Sequence, residues 1–263
     1  MATLPKKAFN ILLKDGPISL GKKSGEFLQN RFKKPRRRLR IKKNVWDMKR
    51  QFDAVADPYK ILSINSENIT RYIQNPSWDN PWNVWGQVKG GEWDLENTVQ
   101  IEEYTHYQAF NKHFIHGVSW ECVADYRMQR KKQKNNLPYR GYETWDEVQQ
   151  HYKRKYMNGQ YDKLYQDIQQ NGFQTQPIPK SDPSACNYYA PHMTIGRDGE
   201  FIFWGDGHHR TAIAKLLELD NIPVYVYLRH KQWQNLRDDI EENGLPEHRE
   251  DLRNHPDLQD VLN

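Results

Sequence analysis

Residues 193–228 leave this chain few ways to fold. Met193-Thr194-Ile195 and Glu200-Phe201-Ile202-Phe203-Trp204 are short β-type runs joined by Gly196-Arg197-Asp198-Gly199, whose Asp-Gly pair is a strong hairpin signal. The second run passes without a linker into Gly205-Asp206-Gly207-His208-His209-Arg210, then into a helical stretch at 211–219 and a further strand at 221–228. Hairpin, polar turn, helix and strand in this order require a helix packed on a sheet, so the expected class is α+β, a small mixed sheet with packed helices.

The polar turn is also the most informative chemical feature. Gly205 and Gly207 let the backbone approach a ligand closely, while the helix opening at Thr211 offers unpaired N–H groups and a positive dipole end. Arg210 adds a planar fork suited to phosphate. Asp206 can cap the helix or hold a divalent cation, and His208 or His209 can donate to phosphate oxygens or move a proton. A plain capped turn with two exposed histidines would need fewer polar groups than stand here, so Gly205, Gly207, His208, His209, Arg210 and Thr211 are read as an anion site, with Asp206 as either its cap or a cation ligand.

Elsewhere the pattern predicts a strand at 59–64 and a helical turn at 66–73 behind Ser66. The Trp-rich stretch 75–93 ends in Gly90-Gly91-Glu92-Trp93-Asp94, either a loop packed by its own aromatic rings or a turn that presents Glu92 or Asp94 as a catalytic carboxylate. Residues 100–127 look helical, with Glu102, His106, His113 and His116 spaced to share roughly one face. Packing or surface roles are expected for them, with a metal site as the alternative. A solvated basic loop is expected at 127–140, followed by helices near 144–156 and 160–171 that end at Asn171-Gly172. Arg229-His230 either lie beside the polar turn or mark a strand end at which Trp233 packs under the C-terminal helix.

Charge is unevenly spread. Residues 1–50 hold sixteen basic residues against three acids (Asp15, Glu26, Asp47), a net +13, so the other 213 carry −8 within the overall +5. The chain therefore reads as a basic arm (1–50) on an acidic body, with a solvated arm, a nucleic-acid backbone, an anionic membrane surface and an acidic protein as the alternatives for the arm. The 33 residues after His230 carry −5 and read as an acidic helical tail without a basic recognition helix. Thirteen per cent aromatic residues make a packed core feasible despite a mean hydropathy of −1.03. Two cysteines without a CxxC partner (Cys122, Cys186), no apolar run of membrane length and no secretory h-region lead to the expectation of a soluble cytoplasmic protein.

Residues 164–172 with Gln176-Pro177-Ile178, and the order from Ile195-Gly196-Arg197-Asp198-Gly199 through Gly205-Asp206-Gly207-His208-His209-Arg210 to Ile222-Pro223-Val224, resemble the ParB/sulfiredoxin superfamily. The resemblance implies a domain over 57–230 with an insertion at about 74–159. Partitioning members carry a Gly-Glu-Arg-Arg-like box and sulfiredoxins a Cys in it; this chain has Gly207-His208-His209 instead, closer to the Asp-Gly-x-His-Arg box of the free-serine kinases. That branch implies a Mg²⁺-dependent phosphotransferase that binds ATP or ADP (CTP possible) with Asp206 as its metal group, and that takes a small hydroxyl substrate. The alternative is a nucleotide-dependent DNA- or RNA-binding protein, or a nuclease, that uses the arm. The family's glutamate base has no matching position, and Glu92 or Asp94 is taken on chemistry alone, with His208 as a further catalytic candidate.

Overall fold

The computed structural model describes residues 36–74, 81–96, 98–134, 142–174 and 190–262. Expectations that concern residues 1–35, Trp78, Pro138, Gln176-Pro177-Ile178 and Cys186 lie outside these residues. The fold is mixed α and β, and seven strands form one mixed sheet. β7 (Ile222–His230) is its spine: β1 (Ile61–Ile64) runs antiparallel to its first half, β3 (Gln87–Lys89) parallel to its end, and β5 (His192–Ile195) parallel along its other edge. β6 (Phe201–Phe203) follows β5 as the expected hairpin, and β2 (Ile69–Ile73) and β4 (Thr98–Gln100) complete the order β1-β7-β5-β6-β2-β4.

Alternation along the central strands gives the sheet two apolar faces. Phe201, Phe203, Val224 and Val226 join Leu62, Ile69, Met193 and Trp233 on one face. Ile202, Tyr225 and Tyr227 join Ile41, Trp85 and Trp204 on the other. The first face is covered by helix α9 (Lys231–Asn243) and part of α8 (His208–Leu216), through Trp233, Ile240 and Ala214. The acidic segment after residue 230 is thus helical and packed: Leu252, Leu258 and Val261 belong to the same cluster. Asp257 lies fully buried between Arg229 and Arg237 and accepts from Trp233 Nε1 at 2.9 Å.

Part of the basic arm is also structural. Residues 36–49 form helix α1, which precedes the one-turn helices α2 (Pro81–Val84) and α3 (Trp93–Glu96) and has a buried stripe at Ile41 and Asn44 with the cations on its remaining faces. Asn44 Nδ2 donates to the backbone carbonyls of Asn83 and Trp85, at 3.1 and 3.0 Å, and Asn44 Oδ1 accepts from Gln87 at 3.0 Å. Like charges that cannot fold alone are here held by one apolar face on Trp85.

Three local expectations are corrected. Residues 66–73 are not a helical turn: Ser66–Asn68 is a single 3-10 turn capped by Asn65, and Ile69–Ile73 is a strand. Its β-branched residues and Tyr72 fit the half-buried place between β6 and β4 better than a helix. The helix expected at 100–127 is broken. A 3-10 turn at Ile101–Glu103 leads to α4 (Thr105–Phe110), a π-turn at Asn111–Ile115 ends at Gly117 with φ +67°, and α5 (Trp120–Lys134) begins anew. The basic run after Arg127 is the last two turns of α5 rather than a loop, because no Gly or Pro interrupts it before Lys134.

Helices α6 (Trp145–Tyr156) and α7 (Gln160–Asn171) form where expected, α6 behind a capping box of Thr144 and Glu147. With α4 and α5 they build a third, aromatic cluster around Phe110, Trp120, Tyr156 and Tyr161, which closes on Ala212 and Ile213 of α8. Among the described residues no helix is long and apolar enough to cross a membrane.

Candidate functional site

The polar turn follows β6 and opens α8. Gly205 (φ +119°) and Gly207 (φ +95°) occupy conformations that L side chains rarely adopt, and a Cβ on Gly207 would stand 2.7 Å from Pro191 Cα. Gly207 serves as the N-cap, so the helix begins at His208 rather than at 211. His208, His209 and Arg210 therefore lie in its first turn, at the positive end of its dipole. Gly207→Ala is expected to cost about 2–3 kcal/mol in urea unfolding, because strain and clash add. Gly91→Ala, at φ +94° with open space around it, isolates the strain alone at about 1 kcal/mol; equal losses in the two variants would show that the close approach to Pro191 carries no weight.

One wall of the site is His192. Its Nδ1 accepts from Tyr227 Oη at 2.8 Å and from the Asp206 N–H at 3.2 Å, so the neutral ring carries its hydrogen on Nε2. Complete burial, with the charge of His208 beside it, pushes its pKa down to about 3, so its 4.0 Å approach to Asp206 is no ion pair at neutral pH. Burial raises the Asp206 carboxyl, and the charge of Arg37 on α1 opposes that rise. The basic helix thus reaches the turn electrostatically, and through packing as well: Trp85, under which Ile41 sits, contacts both the His192 and the Tyr227 rings.

The opposite wall comes from the helices between 105 and 171. His208 is exposed, with Nδ1 hydrogen-bonded to Tyr104 Oη and its ring stacked on His106 at 5.2 Å. His209 points inward, stacked on Phe110 at 5.8 Å, with Nε2 3.1 Å from Tyr161 Oη. Its pKa falls to about 3 through burial and the charges of Lys155, His208 and Arg127. His106 is lowered well below the ordinary imidazole value by burial and by Arg127, whose Nη2 donates to His106 Nε2 at 3.3 Å. The guanidinium of Arg210 lies over the Phe173 ring at 5.5 Å.

Not every expected group is here. Thr211 is fully buried and its hydroxyl donates back to Gly207 O at 3.0 Å, so it braces the turn instead of facing a ligand. Glu92 and Asp94 are at the other end of the hairpin. Asp94, with no exposed surface, accepts from Arg197 N, Nε and Nη2, and Glu92 bonds the same guanidinium at 2.9 Å. Burial pushes the Asp94 carboxyl up, but the Arg197 bonds outweigh it and leave the pKa lowered. Arg197 stands in the turn before β6 and Asp206 after it, so roughly 20 Å of extended chain separates these carboxylates from the box. Arg229 and His230 are also at that end, on Asp257 and on Gly91 O. Trp233 is buried against the hairpin turn at Gly199.

The histidines of 100–127 do not share a face. The π-turn and Gly117 turn His113 towards Asp162 and onto Trp120, with rings 3.7 Å apart, while His106 goes to the box. Among the described residues no three His, Cys, Asp or Glu side chains converge as metal ligands. Asp206 alone fits Mg²⁺ only as the companion of ligand phosphates, which commonly supply the rest of its shell.

Arg127 is the group that sequence reading missed, and His106, expected in packing, on the surface or in a metal site, stands beside the box instead. A signal was present: Trp120, Val123, Ala124 and Arg127 follow the i, i+3, i+4, i+7 spacing of one buried helix face, with arginine in an apolar slot. Compared with protein-family models, curated proteins and solved structures, the chain matches none.

Proposed function

We propose that the chain binds a nucleotide through its phosphates at the turn 205–210 and transfers a phosphoryl group to a small hydroxyl acceptor. The observation that carries this reading is the convergence of cationic charge on one helix N-terminus. Arg210 lies in the turn, Arg37 acts on Asp206 from α1, and Arg127 acts on His209 from α5, while Asp206 is the turn's single acid. Such donors and fixed charges are what phosphoryl transfer asks of a protein, since the reaction is catalysed chiefly by positioning and charge stabilisation. The resemblance of the box to the free-serine-kinase branch of the ParB/sulfiredoxin superfamily points the same way.

In this reading the α8 N–H groups and Arg210 hold phosphate oxygens, and Asp206 would hold a Mg²⁺ together with the nucleotide's phosphates. Mg²⁺, when bound, would neutralise charge between the phosphates. With Glu92 and Asp94 held by Arg197, the proton acceptor is the neutral form of His208, exposed at the mouth and steadied by Tyr104. Titration calorimetry with ATP and ADP tests the site. Arg210→Ala is expected to weaken both nucleotides about tenfold or more with or without Mg²⁺, and Asp206→Asn only in its presence. Unchanged affinity in both variants would remove the reading.

A second reading, nucleotide-gated nucleic-acid binding, is favoured by one feature. The exposed face of α1 carries Arg36, Arg40, Lys42, Lys43 and Lys49 on the same helix whose Arg37 acts on Asp206. Steeply salt-dependent DNA binding that changes with nucleotide would select it over the enzyme.

A further inference from the structure

Arg127 is nine-tenths buried, and no carboxylate answers it among the described residues. Its Nη2 bonds His106, while Nε and Nη1 are buried without an acceptor. A guanidinium can only donate, so the His106 Nε2 that receives this bond is the unprotonated nitrogen. The hydrogen of the neutral ring then lies on Nδ1, which is buried and also lacks a partner. The hydroxyl of Tyr156, fully buried nearby on α6, is unpaired as well. The interior of this wall therefore holds one fixed positive charge, met by the Tyr152 ring at 5.9 Å but by no carboxylate among the described residues, and three donor nitrogens without an acceptor.

Buried polar groups are ordinarily satisfied, and a buried charge with no counter-charge is among the costliest arrangements a fold can keep. An anion removes the cost. The cluster sits against the first turn of α8: His106 stacks on His208 and meets His209 edge-on at 5.1 Å, and the charge of Arg127 is felt at His209 and Tyr161. The charge of Lys155 adds to the field at both His106 and His209.

We infer that Arg127 and His106 form a second anion subsite, which receives a phosphate of the same ligand whose neighbouring phosphate lies on the 207–210 turn. This rests on the phosphate reading of that turn and narrows the ligand class: a nucleoside di- or triphosphate fills both places, and a monophosphate fills one.

The test uses the full chain with ATP, ADP, AMP and inorganic phosphate. Wild-type protein is expected to bind ADP about tenfold or more tighter than AMP, from one further set of charge-assisted hydrogen bonds. Arg127→Met removes charge and donors but keeps bulk. It should bring ADP down towards the affinity of AMP while weakening AMP far less, and raise the Tm of the ligand-free protein by relieving the buried charge. Arg127→Lys should restore part of the preference. A purely structural arginine would give the opposite pattern, a lower Tm and equal losses for every nucleotide, and that result overturns the inference. So does an unaltered ADP-to-AMP ratio in Arg127→Met. Failure of the turn is separately visible. If Gly207→Ala binds AMP as wild type does, the turn reading falls. A phosphate-induced rise in Tm that survives in Gly207→Ala and vanishes in Arg127→Met would still support the subsite.

Discussion

Deletion of residues 1–50 is expected to destabilise the folded protein by on the order of 5 kcal/mol and to weaken nucleotide binding. Charge alone argues the reverse, because a +13 segment on a −8 body looks detachable. The packing decides it. Ile41 has no exposed surface and fills the cluster of Trp85, Tyr225 and Tyr227; removing such a side chain costs about 2–5 kcal/mol including the cavity left behind. Asn44 makes three hydrogen bonds to Asn83, Trp85 and Gln87, and each partner left unsatisfied adds about 1 kcal/mol. Trp85 contacts His192, which accepts the Asp206 N–H, and Tyr227, which bonds the same His192 nitrogen, so the loss reaches the site. Urea unfolding of the truncated chain should show a lower midpoint, and Ile41→Ala alone roughly half the effect. An unchanged midpoint would mean that α1 contributes nothing to the fold.

The α+β class, the β5–β6 hairpin, α6, α7 and the turn at 205–210 were all legible in the sequence, because each rests on local chemistry. Asp-Gly marks the hairpin, Thr144 and Glu147 cap α6, and two glycines permit positive φ at the turn. What could not be read locally was pairing. Ile69–Ile73 is a strand because β6 and β4 flank it, and α1 is ordered because Trp85 receives Ile41. The candidate site divides in the same way. The box was visible as contiguous residues, but its second wall depends on how α4 and α5 pack on α8. Glu92 and Asp94 had suitable chemistry at the wrong end of a strand, and nothing short of the sheet register reveals that.

Acidification from pH 7.5 to 5 is expected to remove about 4 kcal/mol of stability, through His192 and His209 alone. Both have folded-state pKa values near 3, held down by burial first and then by neighbouring cations, His208 for His192 and Lys155, His208 and Arg127 for His209. In the unfolded chain they take up protons near pH 6.5, the ordinary value for imidazole. Between about 6.5 and 3 the unfolded state therefore binds more protons, so the stabilisation is complete above 6.5 and lost as pH falls. Each histidine contributes a slope approaching 1.4 kcal/mol per pH unit, or about 2 kcal/mol by pH 5. His106 is lowered in the same sense and steepens the loss. Asp206, raised by burial, opposes it, and Asp257, lowered to about 2, contributes only once the pH falls into the ordinary carboxylate range and below. Against a typical total of about 5–15 kcal/mol this loss is a large share of the stability by pH 5. Urea unfolding at several pH values gives the slope directly, and His209→Gln should reduce it by about one histidine's share. Saturating phosphate should flatten it, since an anion on the box favours charged imidazoles. A stability profile level from pH 7.5 to 5 would show that these rings are not held neutral in the fold, and the polarity of both walls of the site would have to be reassigned.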